Sequence, residues 1–375
     1  MPPPRIESIG RYKVLGVLGK GAMGVVYKGI DPVIDREVAI KTIRLSLSEE
    51  ELAQYEARFA QEIKTVGKLT HPHIVPIYDV GRTEQFAYMA MEFIDGFDLK
   101  AYMAGGKPLD VATTLDIIAQ IADGLAFAHT RDIVHRDVKP SNVMVARTED
   151  GMVAKIMDFG IARGPASTVK TQTGMIMGSP RYMSPEHVTG KNIGAQSDVF
   201  SLGVLLYEML AGLPPFEAES VTSIMYQTVN VPETPPSTRN REVKPELDAL
   251  VAHALAKKPD QRFATMREFH KALREMLKSL PEPGLLPMPA APATQTSPGF
   301  PAPLPEDLGI IQADPPKRAP VREAAPAAVE KSVPVAPVAQ AASPHDDGPF
   351  PVLPAALLGS LAAIAVALGI ALLLR

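Results

Sequence analysis

His135-Arg136-Asp137-Val138-Lys139-Pro140-Ser141-Asn142 places an acid, a base and an amide within one loop. Downstream lie Asp158-Phe159-Gly160, a stretch rich in Thr, Ser and Gly, and then Ser184-Pro185-Glu186. Upstream, Tyr12 to Leu18 reads as a strand that runs into Gly19-Lys20-Gly21-Ala22-Met23-Gly24-Val25-Val26, a G-x-G-x-x-G-x-V pattern. In a dinucleotide-binding unit the third glycine would open a helix; here the β-formers Val25, Val26 and Tyr27 follow it, which predicts a hairpin with a glycine tip. Val38-Ala39-Ile40-Lys41 then ends an apolar strand on a lysine. Such a lysine is a solvated edge residue unless a carboxylate is available to it. Glu62 offers one, inside a helical stretch from Glu49 to Leu69 whose apolar face is marked by Phe59, Ile63 and Val66.

Strand-rich sequence comes first and longer helical patterns follow as far as about Leu280, so the fold class is α+β, with Pro and Gly at element boundaries. Of the 375 residues, 46% are apolar and 21% charged, enough for a sizeable core and not the composition of a wholly disordered chain. With no Cys, a disulfide framework, a thiolate metal site and a cysteine nucleophile are all excluded. Lys+Arg 38 against Asp+Glu 42 gives no basic field for nucleic acid, and none is expected as a partner.

The glycine loop, strand lysine, catalytic loop, Asp-Phe-Gly and Ser-Pro-Glu elements, in that order, make the chain resemble a bacterial eukaryotic-like serine/threonine protein kinase. The resemblance implies a bilobal kinase domain over 12–280, with a small β-rich lobe over about 12–94 and a larger helical lobe over about 95–280, after a tail of residues 1–11. It also implies roles for particular residues, in a reaction that rests on positioning and charge neutralisation. Gly19, Gly21 and Gly24 would cover the phosphates of ATP, with Leu18 also binding the nucleotide, and Lys41 would neutralise the phosphates while paired to Glu62. Asn142 and Asp158 would hold Mg2+ or Mn2+ with hard oxygens. Asp137 would orient the substrate hydroxyl and accept its proton, and Lys139 would steady the transferred phosphate. Val26, Ala39 and Met144 would sandwich the adenine, Met91, Glu92 and Ile94 would form the hinge with Met91 as gatekeeper, and Asp98 would meet the ribose. Asp198 and the pair Glu186 and Arg262 are structural in the family. Arg136 would bind a phosphate placed on Thr171 or Thr173, with Ser167 and Thr168 as lesser candidates. Ser179 and Ser184 stand where the family usually has threonine and alanine.

Residues 281–350 hold about 17 of the 37 prolines and read as a Pro/Ala-rich disordered linker, semi-rigid and extended. No charge occurs between Asp347 and Arg375, and 352–374 read as one transmembrane helix, since about 20 apolar residues span a bilayer. Small residues recur at Ala355, Gly359, Ala363, Ala367 and Ala371, a spacing that lets membrane helices approach, although about half of this segment is small in any case. The expected protein is a non-specific serine/threonine kinase with its catalytic domain in the cytoplasm, held to the inner membrane by a single-pass tail anchor. Its expected partners are protein substrates and second copies of itself, through autophosphorylation in trans and dimer formation. The competing classes are a pseudokinase scaffold, which would normally lack Lys41, Asp137 or Asp158, and a small-molecule kinase, which would lack the Ser-Pro-Glu element and the paired threonines.

Overall fold

The β-branched and aromatic residues early in the chain pair into a six-stranded antiparallel sheet. In chain order its strands are β1 (Ser8–Ile9), β2 (Tyr12–Gly21), β3 (Gly24–Asp31), β4 (Arg36–Arg44), β5 (Ile77–Arg82) and β6 (Phe86–Glu92), arranged β1-β2-β3-β4-β6-β5. The structure, a computed structural model, describes residues 6–21, 24–44, 66–83, 86–159, 180–191 and 193–289. Alternation along β4 and β6 sends Val38, Ile40, Tyr88 and Ala90 to one face, where they bury Ile9 and Tyr12. Ala39, Met89 and Met91 go to the other face with Val75, as the two-residue period of a strand requires. The sheet starts at Ser8, four residues before the expected edge of the domain, because Ile9 is completely buried.

Beyond β6 the chain becomes helical. A short strand β7 (Phe97–Asp98) leads into α1 (Leu99–Tyr102) and α2 (Val111–His129). The Asp110 carboxylate caps α2 by accepting from the Thr113 amide at 2.8 Å, which satisfies one of the orphan donors of a helix start. A hairpin of β8 (Val143–Thr148) and β9 (Gly151–Ile156) joins β7 in a three-stranded sheet. Then follow α3 (Pro185–Val188), α4 (Ala195–Ala211), α5 (Val221–Asn230), α6 (Pro245–Ala254) and α7 (Met266–Leu277).

Helices α2 and α4 are apolar nearly all round, the pattern of helices surrounded by protein. Their Leu115, Ile118, Leu125, Leu202, Leu205 and Leu206 form one core with Phe269 and Leu273 of α7. Truncating any one of these buried leucines to alanine would cost about 2–5 kcal/mol. Helix α2 is long and apolar enough to cross a membrane, but it is the centre of this core. A parallel bridge between Ile74 and Ile156, flanked by hydrogen bonds Val75 N to Ile156 O and Ile156 N to His73 O, both 2.9 Å, fastens the segment before β5 onto β9. Composition changes at Pro281, yet the chain stays seated as far as Leu286, whose side chain is 2% exposed in the helical core. The remainder of the expected linker and the expected transmembrane helix, 290–375, lie outside the described residues.

Candidate active site

The loop from His135 to Asn142 is built around one buried carboxylate. Asp198, in the first turn of α4, accepts the His135 amide at 2.8 Å on Oδ2 and the Arg136 amide at 2.9 Å on Oδ1. The imidazole of His129, the last residue of α2, meets Oδ2 at 2.8 Å. Burial pushes the Asp198 carboxyl up, but His129, His135 and these amides outweigh it and hold the carboxyl below the usual range. The anchoring permits an uncommon backbone: Arg136 has φ 64°, a conformation costly for a residue with a Cβ.

His135 is completely buried. Its Nδ1 accepts from the Asp137 amide at 3.2 Å and its Nε2 donates to the Met157 carbonyl at 3.0 Å, so the partners select the Nε2-protonated tautomer. Its ring packs on Phe159, centroids 4.7 Å apart. The histidine therefore joins the loop to the segment that carries Asp158.

Three side chains converge on that junction. The Asp137 carboxylate receives Lys139 Nζ at 2.7 Å and Asn142 Nδ2 at 3.2 Å; the same Asn142 nitrogen donates to the Asp137 carbonyl at 2.8 Å. An asparagine that donates through Nδ2 keeps its carbonyl oxygen as an acceptor suited to a hard cation. Asp158 takes φ 63°, and its Oδ2 lies 2.6 Å from Lys41 Nζ. The strand lysine thus has a carboxylate, and among the described residues it is Asp158. The expected partner Glu62 lies outside them, as do Gly160, Ser167, Thr168, Thr171, Thr173 and Ser179.

The glycine pattern forms the hairpin that its β-formers predict, with Gly21 opposite Gly24. Gly24 has φ +155°, and a Cβ there would come within 1.8 Å of the Thr42 carbonyl oxygen, so only glycine fits. Thr42 pins the hairpin by donating to the Val25 carbonyl at 2.9 Å and accepting its amide at 3.2 Å. Behind the tip, Ala39 pairs with Met91 across β4 and β6, and Val26, Ile94 and Met157 pack around them as one apolar patch. Leu18 is 48% exposed on β2, and Met144 pairs with Asp98 across β7 and β8.

Asp98 caps α1 by accepting the Ala101 amide at 2.8 Å, a structural use that its expected ribose contact did not include. Glu92 binds Lys155 of β9 through both oxygens, at 2.8 and 2.6 Å. Sequence reasoning also missed His129, whose signal is a lone imidazole at the end of the apolar run in α2.

On the far side of the loop, Arg262 makes a bidentate pair with Glu186, 2.8 Å at each oxygen, and both are buried. Ser197 Oγ adds a third donor to Glu186 at 2.6 Å. Burial would raise the Glu186 carboxyl, but these donors bring it down to about 2. Ser184 is the N-cap of α3, with its hydroxyl 2.9 Å from His187 Nδ1, so a serine at this position has a local use. A separate cavity of about 470 Å³ between α2 and the end of α7 is lined by none of these residues.

Comparison with known proteins gives a consistent answer. The protein kinase domain model matches residues 12–274. The serine/threonine-protein kinase PknB of Mycolicibacterium smegmatis is 40% identical over 269 residues, 70% of this chain and 42% of the relative. PrkC of Bacillus subtilis is 37% identical over 266 residues, 71% of this chain and 40% of the relative. The crystal structure of the Mycobacterium tuberculosis PknI kinase domain superposes with a TM-score of 0.58 at 28% identity, covering 72% of this chain and 96% of that domain. The chain spans about four-tenths of the length of the curated relatives that it matches.

Proposed function

The chain belongs to the protein kinase family, and from that premise we propose that it transfers the γ-phosphate of ATP to serine and threonine hydroxyls of proteins, its own included. The observation that carries the reading is the Asp137 carboxylate, fixed by Lys139 and Asn142 on a loop anchored at Asp198. In phosphoryl transfer the protein mainly positions groups and neutralises charge. Asp137 orients the incoming hydroxyl and takes its proton. Lys139, at 2.7 Å from that carboxylate, steadies the transferring phosphoryl oxygens. Lys41 neutralises the nucleotide's phosphates, and Gly19, Gly21 and Gly24 bring backbone over them. The apolar patch of Val26, Ala39, Met91 and Ile94, with Met144 of β8, encloses the base, and Glu92 is tied to Lys155 of β9.

The donor set fits Mg2+. Asp158 and Asn142 offer one carboxylate and one amide oxygen, and no group of three His, Asp or Glu able to hold a metal occurs among the described residues. Such a pair suits an ion held jointly by protein and phosphates. Bound there, the ion supplies charge neutralisation on the phosphates.

Phosphorylation of Thr171 or Thr173 as the control step is supported by Arg136, whose buried Nε finds no acceptor among the described residues. The apolar 352–374 segment supports a membrane-spanning helix with the kinase domain on the cytoplasmic side, where ATP is found, and confinement there favours encounters between copies.

The test is full-length protein incubated with ATP and Mg2+ beside Asp137→Asn and Lys41→Met, with phosphosites mapped by mass spectrometry. Phosphate on Thr171 or Thr173 in the wild type, lost in both variants, is the expected result. Wild-type protein that binds ATP yet modifies neither itself nor a generic protein substrate would refute the reading.

A further inference from the structure

After α7 the chain does not leave the lobe. It passes, without regular secondary structure, against the first turn of α2, and its grip there is specific. The Gly284 amide donates to Thr113 Oγ at 2.9 Å. That hydroxyl is 1% exposed; its one proton goes to the Asp110 carboxylate at 2.6 Å, with the Gly284 carbonyl at 3.1 Å as the alternative acceptor. Two residues on, Arg147 of β8 donates to the Leu286 carbonyl at 3.0 Å. The Leu286 side chain is 2% exposed, while its neighbours Leu285 and Met288 are 52% and 55% exposed. One apolar side chain and two polar anchors therefore seat a segment whose composition otherwise favours a free, extended chain.

We propose that residues 281–286 are a built-in latch that clamps the start of α2 when docked and, through that helix, steadies the catalytic loop. The latch has two states because few contacts hold it against the entropy of ordering six residues, so it opens at lower free energy than the lobe beneath it. What it clamps is a single continuous helix. Thr113 lies in its first turn. Gln120, at its middle, donates to the Met152 carbonyl at 2.9 Å and accepts the Ala154 amide at 2.8 Å, and so holds β9. His129 at its end touches Asp198, the carboxylate that fixes the amides of His135 and Arg136. Undocking removes the Gly284 donor from a buried hydroxyl in the turn that starts this helix, and it uncovers the core where Leu286 sat. Any binder or pull that acts on the chain after Leu286 then has a physical route to the catalytic loop, one that does not pass through the nucleotide cleft.

The experiment is hydrogen exchange by mass spectrometry on the full chain, read with thermal unfolding, for wild type, Leu286→Ser, Thr113→Val and the control Leu285→Ser. Thr113→Val keeps the side chain's shape and removes a hydroxyl that serves both the Asp110 cap and the latch, so its report on the latch, even if Leu286→Ser folds poorly, is the exchange over 281–289. In the wild type, peptides over 281–289 exchange well below the rate of a free peptide. In Leu286→Ser and Thr113→Val they exchange about tenfold faster, peptides over 111–115 and 133–137 also lose protection, and Leu286→Ser lowers the Tm by about 5 °C. Leu285→Ser behaves as wild type. Free-peptide exchange over 281–289 in the wild type would remove the latch altogether. Faster exchange there with the 133–137 loop unchanged would overturn the coupling, and a Leu285→Ser result equal to that of Leu286→Ser would overturn the seat. None of these readouts requires kinase activity, so the outcome is separable from the fate of the proposed function.

Discussion

Replacing Arg262 by Met tests how the segment that carries Glu186 is held. The guanidinium contributes two of the three side-chain donors on the Glu186 carboxylate, and its side chain is fully buried. Two routes give the size of the loss. Breaking a buried pair from one side costs about 3–5 kcal/mol, because the remaining charge has no partner. Glu186 is held at about 2 against an ordinary 4.5 by Arg262 and Ser197 together, and about 1.4 kcal/mol per unit gives roughly 3.5 kcal/mol as the ceiling for all its donors. A loss of about 3–5 kcal/mol predicts a Tm lower by about 6–10 °C at neutral pH, taking about 2 °C per kcal/mol for a domain of this size.

The pH dependence has a definite sign. The folded value lies below the unfolded one, so the contribution is complete above about pH 4.5 and is lost as pH falls toward about 2. Arg262→Met removes that loss, since Glu186 then titrates near or above its unfolded value. The double variant Arg262→Met, Glu186→Leu recovers much of the deficit, because a well-packed apolar pair can substitute for a buried ionic one. Urea unfolding of the full chain at several pH values measures all three. A single variant within about 1 kcal/mol of wild type at neutral pH, or one that loses stability in parallel with wild type between about pH 5 and 3, would refute the reasoning.

Further outcomes follow from the same geometry. Asp198→Asn keeps the shape but turns one acceptor into a donor facing an N–H, at a cost of about 1–3 kcal/mol, and phosphoryl transfer falls with it; urea unfolding and an autophosphorylation assay read the two effects. His71 and His270 share Asp123, at 3.4 and 3.8 Å. Burial, together with His73 and the neighbouring Arg131, Arg267 and Arg274, outweighs Asp123 and lowers both imidazoles below their ordinary value. Their stabilisation is therefore complete above about pH 6.5 and is lost as pH falls through the lowered folded values. His71 Nδ1 also accepts the His73 amide at 3.2 Å, a bond that protonation of that nitrogen would end. His71→Gln is expected to flatten the stability profile below about pH 6.5, as followed by thermal unfolding.

The features legible in the sequence are those whose chemistry is local. The run from His135 to Asn142 declares its roles because an acid, a base and an amide at that spacing serve charge chemistry. The glycine hairpin was readable because Val25, Val26 and Tyr27 rule out a helix. Features that depend on chain segments far apart were not readable. Nothing near Lys41 names Asp158, 117 residues away, as the carboxylate at 2.6 Å. His129 reads as an ordinary helix end until Asp198 is brought against it. The latch was hidden for another reason: a proline-rich stretch signals the end of periodic structure, but a lone leucine that docks without regular secondary structure has no period to detect. Ser8–Ile9 escaped for the same cause, two residues being too few for an alternation.

The anchoring of the catalytic loop by Asp198 has a consequence for how the protein is made. The amides of His135 and Arg136 depend on a carboxylate 63 and 62 positions further along the chain, so no local folding event can finish the loop. During synthesis the residues of the reaction centre leave the ribosome well before the residue that shapes them, and a chain halted short of α4 would carry the motif without its form. The entropy of closing a loop over such a separation must be met before the contact rewards it, unlike the contacts within a helix turn or a hairpin. Competence should therefore arise late, in one step with the burial of α4, which keeps immature chains from acting on the hydroxyls around them.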